Sequence, residues 1–98
     1  MTTEKLETIS IAGNRLDAFV ARAFRLSRTL AQQAVGQGYV SVNGKLMDKA
    51  TRSVAVGDVV AVNGYGRASV FSIEEHMKTH RLRVTFAREI VRRREEKK

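Results

Sequence analysis

The 98-residue sequence has no cysteine, no proline and no tryptophan, and its aromatic side chains are two tyrosines and four phenylalanines. Without cysteine there are no disulfides and no thiolate metal sites, so a chain this small must be held together by packing alone. Without proline, no segment loses a backbone N–H donor or is broken by ring sterics. Six aromatics, the phenylalanines mostly at core-like positions, are too few for a base-stacking platform of the kind that reads single strands. Tyr39 and Tyr65 read as half-buried structural rings rather than stacking surfaces. No run approaches 18 apolar residues, and Met1 to Glu7 lacks the basic-then-apolar order of a signal peptide, so neither a spanning helix nor secretion is indicated and a cytosolic location is expected. Acids are scarce as well: 10 against 18 lysines and arginines, a formal charge of +8. That imbalance makes a polyanionic partner the first suspicion.

The length suits one domain with a single modest core. Ile9 and Ile11 alternate within Thr8 to Ala12, which predicts a short strand or an extended lead-in. Asn14 is placed to cap a first helix with Asp17 three residues on, a capping-box-like pair. Leu16, Phe19, Val20, Ala23 and Phe24 then follow the i, i+3, i+4 spacing of a core-facing stripe. Arg15 and Arg22 lie two turns apart on another face, with Arg25 about one turn further. Ser27 reads as the cap of a second helix, whose Leu30, Ala31, Ala34 and Val35 face the core while Arg28 and Gln32 share an outer edge. Either Gly36 or Gly38 can end it in the left-handed conformation.

From Tyr39 the period changes to alternation. Val40 and Val42 point one way, and Asn43-Gly44 is the dipeptide best suited to a tight primed turn returning through Lys45. Asp48 to Ala55 reads as a loop, Gly57-Asp58 as a turn, and Val59 to Val62 as a short apolar strand. Gly64-Tyr65-Gly66 turns the chain into Ala68 to Ile73. Leu82, Val84 and Phe86 alternate with Arg81, Arg83 and Thr85, a strand with one wet face. From Arg88 the sequence ends in seven consecutive charges after Ile90 and Val91, which predicts a frayed helix or disordered tail. The expected division is a lead-in over 1–13, a domain over 14–87 and a charged tail over 88–98.

Catalytic chemistry finds little to work with. There is no cysteine nucleophile and no phosphate loop of Walker or dinucleotide type, and Gly64-Tyr65-Gly66 lies between strands rather than before a helix. His76 and His80 have i, i+4 spacing, but they lie between two predicted strands and lack the H-E-x-x-H order, so a polar hairpin loop is the better reading than a metal site. Asp17 and Asp58 each have a structural task as cap or turn residue. The expectation is a non-enzyme with no cofactor and no metal.

Nucleic-acid binding is better supported. Arg15, Arg22, Arg25 and Arg28 fall on the outer side of the two-helix corner, where several guanidinium groups on phosphates would give strongly salt-dependent affinity. The start of the second helix, near Ser27 and Arg28, adds a positive dipole end. Lys45 in the hairpin and Arg52 in the following loop extend the patch if the sheet folds back beside the helices. Any single arginine is more readily a solvated surface residue, but only Asp17 interrupts the positive stretch before Asp48.

The ordered set R-L-D at Arg15 to Asp17, S-R at Ser27-Arg28, G-Y-V-S-V-N-G-K from Gly38 to Lys45 and G-D-V-V from Gly57 to Val60 resembles the RNA-binding domain of the small-subunit ribosomal protein S-four type. The T-I-S-I segment and G-Y-G-R-A-S-V from Gly64 to Val70 are most similar to the C-terminal part of YlmH-like ribosome-associated proteins. The resemblance implies an α+β fold, a two-helix motif packed on a small, mainly antiparallel sheet, and recognition of structured ribosomal or transfer RNA within a ribosomal particle. It carries RNA-contact roles to Arg15, Ser27, Arg28, Asn43 and Lys45, whereas Arg22, Arg25 and Gln32 rest on the helical-face reading. YlmH-like proteins have a further N-terminal portion, so a stand-alone member or an excised domain is expected here. Pseudouridine synthases and tyrosyl-tRNA synthetases also host such domains, and nothing in this sequence resembles their catalytic portions. A monomer without membrane or small-molecule ligand is expected. The competing readings are a protein-interaction adaptor, the RNA-targeting part of a larger RNA-modifying enzyme, and a DNA binder.

Overall fold

The computed structural model describes residues 2–91, with side chains described over 6–89. Strand β1 (Thr2–Ile11) leads into helices α1 (Leu16–Ala23) and α2 (Arg28–Gly36). Strands β2 (Val40–Val42), β3 (Lys45–Leu46), β4 (Val59–Val62), β5 (Gly66–Glu75) and β6 (Leu82–Val91) follow. All strand pairs are antiparallel, in one sheet of order β1-β6-β5-β4-β2-β3, so the architecture is α+β as expected.

The apolar stripe of α1 is buried as its spacing requires, with Leu16, Phe19 and Val20 fully inaccessible. Phe19 meets Phe86 of β6 edge to face at 5.4 Å and 76°, a geometry that adds about 1 kcal/mol to area burial. Ala18 and Ala21 are buried too, leaving Arg22 as the one exposed residue of α1. Helix α2 packs chiefly on α1 and buries only Ala31 and Val35. Leu30, expected in the core, is 52% exposed, because a helix docked on one neighbour hides a narrow stripe and Leu30 lies about 100° around from Ala31.

The start of α1 is built differently from a capping box. Arg15 occupies the N-cap position and makes no side-chain cap bond. Asn14 instead donates its side-chain amide to the Val54 carbonyl, while the Val54 N–H donates back to the Asn14 carbonyl. The helix's unpaired N–H groups are met by the loop expected at 48–55: Leu16 donates to the Arg52 carbonyl at 2.7 Å and Asp17 to that of Ala50 at 3.0 Å. A neighbouring loop thus does the work of a capping side chain.

The hairpin at Asn43-Gly44 forms as read, with φ of 56° and 83° at its two central residues, the left-handed pair that a type I′ turn demands. Gly38, at φ 80°, ends α2 just beyond its cap.

The paired strands β1 and β6 correct two expectations. Strand β1 spans ten residues rather than Thr8 to Ala12 alone, pairing from Thr2↔Val91 to Ile11↔Leu82. Strand β6 correspondingly continues through Val91, so Arg88 to Val91 are strand, not tail. Charge at Arg88 suggested solvent, but its guanidinium turns inward. It donates to the Ala23 carbonyl at the end of α1 at 3.0 Å and pairs with Glu7 of β1 at 2.8 Å. An unmet helix carbonyl and an adjacent-strand carboxylate supply the partners that let it be largely withdrawn from solvent. The charged run 92–98 lies outside the described residues. Among the described residues, no helix is long and apolar enough to cross a membrane.

Candidate nucleic-acid interface

Asp17, read from sequence as a capping acid, is fully buried and organises the cationic face. Its Oδ1 accepts from Arg15 Nε at 3.1 Å and from the Ala18 N–H at 2.7 Å. Its Oδ2 accepts from Arg15 Nη2 at 2.9 Å, Gln32 Nε2 at 3.0 Å and Arg28 Nη2 at 3.3 Å. Burial pushes the carboxyl pKa up, but hydrogen bonds from Arg15, Gln32 and Arg28 and the charge of Arg28 outweigh it and hold the pKa at about 2. The bond to Asp17, followed by its charge, raises Arg15 in turn.

Two guanidinium groups from different helices therefore share one carboxylate. They are not neutralised: two positive charges face one negative charge, and the side chains remain 47% and 53% exposed. Arg15 spends only its Nε and Nη2 edge on Asp17 and Arg28 only Nη2, so most of their N–H donors are not used on the carboxylate. The carboxylate fixes their orientation in advance, which lowers the entropy lost on gripping a phosphate.

Arg15, Arg22 and Arg28 line one open concavity of about 500 Å³ whose apolar lining includes Ile11, Ala18, Ala21 and Leu26. No carboxylate is among its described lining residues. Gln32 joins the site through Asp17. Ser27 caps α2 as read, its Oγ accepting from the Leu30 N–H at 3.0 Å, which removes one of the free donors that made the helix start attractive for a phosphate.

The other expected contacts are placed differently. Arg25 is not on a helical face. It sits at φ 59° in the link between helices, with the Leu26 N–H returning to the Ala21 carbonyl at 2.8 Å as in a Schellman ending. Asn43 has its amide committed: Oδ1 accepts from the Val59 N–H at 2.9 Å and Nδ2 donates to Asp58 at 3.0 Å, clamping the hairpin to β4. Lys45 is exposed on the outermost strand of the sheet, and Arg52 is exposed beside the start of α1; neither lines the concavity.

Sequence reasoning missed Arg81. It precedes β6, donates from Nε to Ser10 Oγ at 2.8 Å and from Nη2 to the Ser10 carbonyl at 2.9 Å, and so stands in the wall of the same concavity. The sequence read it only as the wet face of a strand, because the pairing that brings it beside Ser10 joins residues 71 apart.

Comparison with known proteins adds an independent line. The S4 domain family profile matches residues 14–60. The chain is 39% identical over 80 residues to ribosome-associated protein quality control protein P2 of Bacillus subtilis (strain 168), covering 82% of this chain and 31% of that protein. It is 37% identical over 78 residues to small ribosomal subunit protein uS4 of Kosmotoga olearia, covering 79% of this chain and 37% of that protein. The chain thus spans about a third of the length of these relatives. Among solved structures, a pseudouridylate synthase superposes with a TM-score of 0.48 at 22% identity, over 63% of this chain and 30% of that one.

Proposed function

The chain belongs, through residues 14–60, to the S4 domain family, and on that premise we propose that it is a non-catalytic module that binds structured ribosomal or transfer RNA in the cytoplasm, as a monomer on a ribosomal particle. The observation that carries this reading is the Asp17-centred pair of Arg15 and Arg28 beside Arg22, a preset cationic surface on a chain of formal charge +8. Phosphates accept charge-assisted bonds from guanidinium groups, and fixed orientation converts a merely basic surface into one that positions a folded RNA. The relatives' printed names, a ribosome-associated protein and a ribosomal protein, agree with a ribosomal setting. Arg25, Lys45 and Arg52 are proposed as outer phosphate contacts, Ser27, Gln32 and Asn43 as residues that hold the contact surface in shape.

The test is co-sedimentation of the tagged chain with ribosomal particles from a cell extract, before and after ribonuclease treatment. The expected result is co-sedimentation that ribonuclease abolishes and that the double variant Arg15→Ala/Arg28→Ala weakens while remaining folded. Retention of a protein partner after complete RNA digestion would favour an adaptor and overturn the reading.

A further inference from the structure

The matched family segment ends at Val60, yet the concavity beside the helix pair has a second wall beyond it. Ser10 at the end of β1 and Arg81 at the entry to β6 face it from the sheet side, whereas Arg15, Arg22 and Arg28 face it from the helix side. Arg81 is placed by two bonds to one residue, Nε to Ser10 Oγ and Nη2 to the Ser10 carbonyl. Both bonds use one side of the planar guanidinium, and a planar fork anchored in this way holds its remaining donors in a fixed direction. No acid among the described lining residues competes for those donors. A surface arginine that only solubilised a strand would have no need of a two-point anchor.

We infer that Arg81 is an RNA-phosphate contact outside the family segment, and that the RNA backbone runs between the β1–β6 wall and the helix wall rather than across the helices alone. The inference rests on the proposed RNA-binding function and extends it to a second side of the same concavity, contributed by β1 and the entry to β6. Ser10 is the positioning residue, since it touches Arg81 and fixes its plane. The ligand is a phosphodiester segment, because every charged residue of the lining is an arginine and the rest, apart from Ser10 and Gly13, is apolar.

The test measures binding of the full chain to purified bulk ribosomal RNA over a salt series, comparing Arg81→Ala with Arg83→Ala. Arg83 carries the same charge on β6 but does not line this concavity. Arg81→Gln, which loses the charge while keeping a donor for Ser10, serves as the second variant should the alanine change loosen the hairpin. The expected result is an affinity loss of about tenfold and a log–log salt slope shallower by about one phosphate for both Arg81 variants, with Arg83→Ala close to the parent. Equal losses for Arg81→Gln and Arg83→Ala would reduce the effect to net charge and overturn the inference. So would unchanged affinity in Arg81→Gln alongside a clear loss in Arg15→Ala/Arg28→Ala, an outcome that leaves the RNA-binding function itself standing.

Discussion

Arg28, in the first turn of α2, reaches the buried carboxylate of Asp17, in the first turn of α1, at 3.3 Å, and so ties the two helices together through a group that also aims a cation outward. The relationship gives Asp17 two roles, one in stability and one in recognition, and they can be separated. Asp17→Asn raises the net charge by one, which by long-range attraction alone would tighten RNA binding. Loss of the fixed orientation of Arg15 and Arg28 acts the other way, and several-fold weaker binding at matched salt is expected, read by filter binding or fluorescence anisotropy. Tighter binding would show that charge, not arrangement, governs the contact.

The same carboxylate sets an acid limit. Its pKa is about 2 in the fold against an ordinary value of 3.8. A carboxyl whose pKa is depressed by folding contributes stability that is present above its unfolded value and is lost as pH falls through the folded one. Between about pH 4 and pH 2 the chain is therefore expected to lose about 2 kcal/mol from this group. Urea midpoints measured across that window for the parent and for Asp17→Asn should converge as pH falls. A constant gap between them would contradict the assignment.

The hairpin makes a purely structural prediction. Asn43 combines a left-handed φ of 56° with bonds to both Asp58 and the Val59 N–H. Asn43→Ala forfeits both bonds and places alanine in a conformation it resists, at a cost of about 2 kcal/mol. A thermal melt reads the loss, and any fall in RNA affinity should be smaller than that of Arg15→Ala/Arg28→Ala, since the Asn43 amide is already spent within the fold.

Arg25 offers the reverse trade. A non-glycine residue at φ 59° costs about 1 kcal/mol relative to glycine, and this one ends α1 at the helix corner. Arg25→Gly should raise thermal stability while weakening RNA binding. Greater stability with unimpaired binding would remove Arg25 from the contact surface.

Much of this was legible in the sequence because it is local. The stripe of α1, the Ser27 cap, the Asn43-Gly44 turn and the alternation from Leu82 to Phe86 follow from spacings within a few residues. What sequence could not supply came from distant partners. Asn14 reads as a cap because asparagine so often is one, but Ala50 and Arg52 answer the helix donors instead. Arg88 reads as tail because charge suggests solvent, and only Glu7 and Ala23 explain its partial burial. Arg81 acquires its place from Ser10, a residue at the far end of the chain. The candidate site divides the same way: residue types and the helical edge shared by Arg28 and Gln32 were readable, whereas the burial of the one acid that unites them was not.

The most direct test of the account is the salt dependence of binding to purified ribosomal RNA for the parent and for Arg15→Ala/Arg28→Ala. The account predicts weaker binding and a log–log slope shallower by about 1.4 to 1.8, the loss of two phosphate contacts. The variant should melt cooperatively but at a lower temperature, because Asp17 keeps only Gln32 and the Ala18 N–H as partners; binding is compared where both proteins are folded. The same affinity and the same slope as the parent would contradict it.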